Sequence, residues 1–449
     1  MNRPEPLRPI YSFTAAAEHV ILSQGAVEVS LDGNVYSGTA DLLLQFMPNP
    51  RLIFHASVQG GKGSPFAFAF NEPADESLSF NGQLVSGFSG ARRANLAAVT
   101  WELDWHPEFE PVVLCDMQSK TSVSAVFHLF NFPEFHGGQY QDSAPAACSL
   151  LVLTSAEWRF SVQELPDNAT REVWKRIKSD GVSRLTHMVK LERNNGDLFS
   201  GEEAREQCHL LDNFLAFVKG GLCTAVCGVG LAEDGEKTWT TFASPRTSNP
   251  PYSWFTPFQA NQAERLFPLF ASRWQQSDEW KECLQAVIYW YRQANTSGRS
   301  PSIDSAIILA QVALERLAYH YIVIDRKMIS GKGFDDLRAS DRLRMLFSIC
   351  GIPNEITDTA LNIRQANERF QKSSKWVDAP HAITDIRNSL VHPVNKKDVR
   401  NCYVDAWKLS LWYLELSVLA LCGYDGTYTC RLTARYVTDS KKVPWEDKL

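Results

Sequence analysis

Hydrophobic and polar residues alternate along the first 165 positions in short runs with strand character. VEVSL from Val27, DLLLQF from Asp41, RLIFHASV from Arg51, FAFAF from Phe66 and AVTWELDW from Ala98 follow one another at close spacing. SVSAVFHLF from Ser122 and SLLVLTSAEWRFSV from Ser149 continue the series. Asp32-Gly33, Gly60-Gly61 and Asn81-Gly82 lie between runs and supply turn chemistry. The period of two through Phe66, Phe68 and Phe70 predicts three phenylalanines on one strand face. So many short strands bury themselves most simply as a sandwich or curled barrel.

Past residue 165 the period changes. Leu210, Leu211, Phe214, Leu215, Phe217 and Val218 are spaced for a helix over 201–218, stopped by Gly220-Gly221. CTAVCGVGL and KTWTTFA flank Ala232-Glu233-Asp234-Gly235-Glu236 and predict a hairpin, and a proline-rich stretch over 245–257 leads onward. Beyond residue 275 helical periodicity dominates, with helices predicted over 278–293, 303–324, 337–349, 355–370, 380–391 and 398–422. Short loops between them predict an α-bundle, and TYTCRLTARYV adds a short β element at the end. The fold class is therefore multidomain α+β. Residues 1–165 form a β-rich, sandwich-like or barrel-like recognition domain, 166–274 a small α+β connector, and 275–449 an all-α domain.

Composition narrows the function classes. The 449 residues are 44% hydrophobic and 21% charged, a globular balance that excludes a disordered or collagen-like chain. A formal charge of −6 excludes a protein whose whole surface coats nucleic acid, so phosphate contacts must be local. Ten scattered cysteines and an N-terminus, MNRPEPLRPIYSF, without signal-peptide pattern predict a reducing cytoplasmic setting. The apolar stretch Leu409 to Cys422 is too short to span a bilayer and carries Glu415, so no membrane partner is expected.

Candidate chemistry concentrates in ITDIRNSLVHP, residues 383–393. Ile383, Ile386 and Leu390 make the buried stripe of a helix, with Arg387 at its edge. Pro393 biases His392 out of helical geometry, which places the imidazole at a helix C-terminus within reach of the arginine. A histidine titrating near neutrality can take the proton of a ribose 2′-hydroxyl or protonate a leaving oxygen. A permanently charged guanidinium can hold the phosphate and stabilise transition-state charge. The competing reading is a helix-end histidine beside an arginine paired with Asp385 or Glu315. Elsewhere, His128, His136, Cys115, Cys148, Cys208, His209, Cys223 and Cys227 lack zinc-type spacing. Gly228-Val229-Gly230 lacks a third glycine, and Trp101, Trp105 and Trp158 sit in strand patterns as core. No metal or cofactor is expected.

Arg387-Asn388-Ser389-Leu390-Val391-His392-Pro393, ahead of a long closing helix, resembles the HEPN superfamily (higher eukaryotes and prokaryotes nucleotide-binding domains). Ala313-Leu314-Glu315-Arg316-Leu317, Gly423-Tyr424-Asp425-Gly426-Thr427-Tyr428 and Val443-Pro444-Trp445 are similar to large bacterial HEPN proteins, including the ApeA-like antiphage group. The resemblance covers about 170 residues at the C-terminal side and is only architectural before them. It implies an all-α HEPN bundle that dimerises so that two Arg-x4-His motifs form one metal-independent endoribonuclease site. Arg387 would polarise the scissile phosphate, Asn388 would orient it or cap the helix end, and His392 would be the acid–base residue. Glu315 would support Arg387, and Lys396, Lys397 and Arg400 would hold flanking phosphates of the RNA substrate. The implied biology is antiphage defence by abortive infection. RNA, perhaps tRNA in kind, is cut once the N-terminal region meets a phage-derived trigger. Val394 stands where nucleotidyltransferase-controlled HEPN toxins often carry tyrosine, against that mode of control. The alternatives are an inactive HEPN dimer acting as scaffold or ligand-binding module, and a toxin held by a separate antitoxin.

Overall fold

The structure is a computed structural model that describes residues 4–13, 19–61, 68–69, 72–95, 100–140, 149–166, 171–248, 252–298, 302–392, 398–436 and 438–445. The chain is a multidomain α+β protein with two compact units. Residues 1–132, 157–208 and 224–247 make the first, and 133–156, 209–223 and 248–449 the second. The stretch 166–274, expected as a connector, is divided between them.

In the first unit the strands β1 (His19–Leu31), β2 (Asn34–Gln45), β3 (Arg51–Gly60), β4 (Glu76–Phe80), β5 (Gln83–Val85), β6 (Gly87–Asn95) and β7 (Thr100–Pro107) form one antiparallel sheet. Its order is β5-β4-β1-β2-β3-β7-β6. Asp32-Gly33 and Asn81-Gly82 have positive φ at both positions and join neighbouring strands by two-residue loops, Leu31 facing Asn34 and Phe80 facing Gln83. Alternation does the rest. Val27, Val29, Leu42, Phe54, Leu78 and Phe80 point to one face and are buried, while Glu28 points to the other.

A second sheet comes from β8 (Val112–Val113), β10 (Ser124–Phe130), β12 (Trp158–Glu164), β13 (Leu185–Arg193), β15 (Ala225–Leu231) and β16 (Lys237–Phe242), in the order β12-β13-β10-β15-β16-β8. The small pair β9 (Thr121–Ser122) and β14 (Phe199–Ser200) stands apart, and β11 (Leu150–Thr154) packs with the second unit's helix Asn261–Gln275. Leu185, Met188, Val226, Val229 and Phe242 join the first sheet's inner face in one hydrophobic cluster. The expected strand at 66–70 is corrected at its centre. Residues 68–69 are helical, and Phe68 packs singly against Tyr36 and Trp101, whereas Phe66 and Phe70 lie outside the described residues. The run from Ser149 is two strands, broken at Ser155 to Glu157.

β10 is buried along its whole length, and His128 stands in its middle. Its Nδ1 lies 3.0 Å from the Cys227 carbonyl, and its Nε2 accepts the Ile10 N–H at 3.2 Å. This pairing fixes a neutral imidazole protonated on Nδ1. Burial pushes its pKa down to about 4. Above pH 6.5 both folded and unfolded imidazoles are neutral; between there and about 4 only the unfolded one binds a proton. Stability of the first unit therefore falls as pH drops through this window, by roughly 3 kcal/mol from this group. Urea-unfolding midpoints at pH 7.5 and 4.5 check it: the difference is expected to shrink by that amount in His128→Gln.

The second unit is helical. Helices α1 (Arg171–Asp180) and the first half of α2 (Gly201–Lys219) belong with the sheets; the rest of α2 belongs here. Then follow α3 (Asn261–Gln275), α4 (Asp278–Ser297) and α5 (Ile303–Tyr319), which runs on into a π-helical turn, His320–Asp325. Next come α6 (Gly331–Asp335), α7 (Ala339–Ile349), α8 (Leu361–Arg369), α9 (Ala379–Val391) and α10 (Tyr403–Leu421). Phe214 of α2 meets Phe267 and Phe270 of α3. The helix expected over 355–370 begins only at Leu361, where the Asp405 carboxylate accepts the N–H groups of Asn362 and Ile363. The tail closes with the two-stranded pair β17 (Thr427–Tyr428) and β18 (Lys441–Lys442).

α10 is buried almost throughout, and Glu415 on it is fully buried. Arg431 forks onto this carboxylate through Nε at 2.8 Å and through Nη2, and the Tyr291 hydroxyl donates to it at 2.5 Å. Arg431 Nη1 reaches Asn295 Oδ1 at 3.3 Å, while Asn295 Nδ2 donates to the carbonyls of Gly220 and Tyr252. Gly220 has φ +75, and a Cβ there would lie 2.6 Å from Asn295 Nδ2. Among the described residues, Ile303–Asp325 is long and apolar enough to cross a membrane, and 56% of its apolar window is buried inside the protein. Sequence reading had singled out Leu409 to Cys422 instead.

Candidate functional site

α9 carries the motif and is anchored at its beginning. Asp378 is its N-cap and accepts the His381 N–H at 2.9 Å, and Pro380 follows in the first turn, where a missing N–H costs nothing. The same carboxylate takes a forked pair from Arg344 of α7, Nε at 2.5 Å and Nη2 at 3.1 Å, while Arg344 also binds Asp341. These two carboxylates, the Asp378 pairing foremost, raise the Arg344 pKa. Asp378→Ala is expected to destabilise the helical unit by about 1–2 kcal/mol through the lost cap alone, measured by urea unfolding.

Ala382, Ile383 and Ile386 are buried, and Leu390 half-buried, which is the stripe expected from the sequence. α9 packs on α5, α7 and α10. Gln311 of α5, itself fully buried, donates to the Ile383 carbonyl at 2.6 Å and fixes the helix axially. The helix ends where Pro393 predicts. His392 is the C-cap, extended at φ −119 and ψ 107, its N–H bonded to the Asn388 carbonyl at 2.9 Å.

Arg387 lies half-buried one turn earlier. Its Nη1 donates to Asn388 Oδ1 at 3.1 Å, and its Nε is buried with no hydrogen-bond partner. Both acids that the sequence offered it are engaged elsewhere. Asp385 accepts Trp376 Nε1 at 2.7 Å, and Glu315 faces Arg342 Nη1 at 3.7 Å, so the expected Glu315–Arg387 support is replaced by a pair with α7. Arg387 thus has no carboxylate partner among the described residues. His392 is exposed beside it, and Arg400, exposed, sits in the short 3-10 turn Arg400–Cys402 that returns the chain to α10. Lys396 and Lys397, with Pro393 and Val394, lie outside the described residues.

Two neighbours escaped sequence reasoning. Ser389 donates to the Ile386 carbonyl at 2.6 Å, and its hydroxyl is also hydrogen-bonded to Tyr403, the first residue of α10. The signal was faint: a hydroxyl inside the motif and a tyrosine just after the loop that leaves it. Burial raises the Tyr403 pKa, with Asp304 and Asp398 adding to the rise and Arg400 and Ser389 opposing it.

The remaining chemical residues are structural. His136 stacks on Phe258 at 4.9 Å, Cys208 donates to the Ala225 carbonyl, and burial pushes the Cys223 and Cys227 thiols up to about 12. Among the described residues no group of three or more His, Cys, Asp or Glu side chains is placed to hold a metal ion. The described cysteines are free and most are buried; Cys148 lies outside them. Trp105 and Trp158 are core, and Gly228 and Gly230 lie inside β15, where a Cβ on Gly230 would meet Trp239.

Residues 117–253 match the family described as the YopA central domain, and residues 277–442, which hold Arg387, Asn388 and His392, match the YopA C-terminal domain. The chain is similar to YopA over these two regions. The SPbeta prophage-derived uncharacterized protein YopA of Bacillus subtilis (strain 168) is 24% identical over 448 residues, covering 96% of each chain. The likeness to that YopA thus includes the strand-rich beginning as well. No solved structure matches.

Proposed function

We propose that the helical unit is a HEPN-type bundle and that the protein is a metal-independent RNA endonuclease. The observation that carries this reading is the half-buried Arg387 guanidinium, without a carboxylate partner among the described residues, beside the exposed His392. A cation left unneutralised at a surface is a receptor for an anion, and a planar guanidinium fits phosphate oxygens in pairs. Asn388 steadies it at 3.1 Å.

With RNA in place, the ribose 2′-oxygen attacks phosphorus as His392 takes its proton. The bond to the 5′-oxygen breaks, and that oxygen is protonated by the imidazolium of the second motif in a homodimer. Arg387 stabilises the charge on the non-bridging oxygens. The products are a 2′,3′-cyclic phosphate and a 5′-hydroxyl, so atoms and protons balance with protein groups alone. Arg400 holds a flanking phosphate, and the net charge of −6 keeps general affinity for RNA low until the protein is triggered. The prophage origin of the Bacillus protein favours a cytoplasmic role in conflict between phages and their hosts, in which the N-terminal unit reads the phage-derived signal.

Incubation of the full chain with total cellular RNA in EDTA, beside His392→Ala, tests the proposal. Discrete fragments from the wild type only are expected. Absence of cutting by the wild type, with phage-infected extract as well as without, would overturn it in favour of a scaffold.

A further inference from the structure

The first turn of α10 and the last turn of α9 are joined by one short polar chain. Ser389 has a single hydroxyl proton, and it goes to the Ile386 carbonyl at 2.6 Å. The hydrogen bond between Ser389 and Tyr403 therefore has the phenol as donor. Tyr403 is half-buried, and Asp304 of α5, Asp398 and Arg400 are the charged groups that face it. Ser389 sits two residues after Arg387 and three before His392, in the turn where the backbone leaves the helix.

We infer that Tyr403 is a positioning residue of this site: through Ser389 it holds the exit turn of α9 so that Arg387 and His392 face the same phosphate. This inference rests on the ribonuclease reading and deepens it. A C-terminal turn has carbonyls without intrahelical partners and frays unless something ties it. Gln311 fixes α9 at Ile383, a turn before the motif, so the turn bearing His392 depends on another tie. The Tyr403 hydroxyl supplies it from a helix that is buried almost throughout and cannot drift. A tie of this kind acts on the reacting geometry, where a displacement of about 1 Å costs on the order of 10²-fold in rate.

The neutral phenol is what the tie requires. Burial and the two aspartates keep Tyr403 protonated at neutral pH, as a donor must be. Phenylalanine retains the ring and its packing and removes only the donor.

The test is a double-mutant cycle on the full chain with a defined RNA, using Tyr403→Phe, Ser389→Ala and the pair, with His392→Ala as reference. Each single variant is expected to lower kcat about 10-fold with KM and melting temperature near those of the wild type, and the pair is expected to lose no more than either single. Independent, multiplying losses, or a Tyr403→Phe variant as fast as the wild type, would overturn the inference while leaving the ribonuclease reading intact. No cutting by the wild type, under the conditions that overturn that reading, would remove the inference with it.

Discussion

His392→Ala is expected to cut RNA about 10²–10⁴-fold more slowly than the wild type, the range for loss of a general acid–base group. The imidazole is exposed at the helix C-cap, so its removal leaves the melting temperature unchanged. Arg387→Ala is expected to cost about 10²–10³-fold in kcat through lost stabilisation of phosphate charge. Arg387→Lys should recover little, because an ammonium cannot reproduce the planar fork. Single-turnover cleavage of a defined RNA under saturating protein measures these losses. Rates within a factor of two of wild type for both alanine variants would contradict the assignment.

The largest effect on stability is expected at the buried pair Glu415–Arg431. Removal of one partner leaves an uncompensated charge in the bundle core, at a cost of about 3–5 kcal/mol. Glu415→Ala also strands the hydroxyl of Tyr291, and Arg431→Ala frees the tail from α4 and α10 together. Glu415→Leu combined with Arg431→Met removes both charges and is expected to be markedly milder than either single alanine change. Urea unfolding followed by hydrogen exchange of the α10 amides reads the difference. A double variant as unstable as the sum of the singles would mean that the pair stabilises the bundle by more than mutual neutralisation.

Local features were legible from the sequence because local physics decides them. Asp32-Gly33 and Asn81-Gly82 turn where their dipeptides demand positive φ. Pro393 ends α9 at His392, and Gly220-Gly221 ends α2. The alternation of Val27, Glu28 and Val29 places β1 correctly in the sheet. Features that depend on distant partners were not legible. Phe68 is drawn out of a strand pattern by Tyr36 and Trp101. Asp405 moves the start of α8 from a position more than forty residues later in the chain, and Glu315 is claimed by Arg342 on a different helix. At the candidate site the spacing of Arg387, Asn388 and His392 was readable, whereas the tie from Ser389 to Tyr403 spans a loop whose path the sequence does not encode in any period.

The most direct measurement is the chemistry of the ends left on RNA cut by the full chain in EDTA, read by mass spectrometry of a short oligonucleotide. The account predicts a 2′,3′-cyclic phosphate on one fragment and a 5′-hydroxyl on the other, neither produced by His392→Ala. Fragments with 3′-hydroxyl and 5′-phosphate ends, or cutting that persists in the variant, would contradict it.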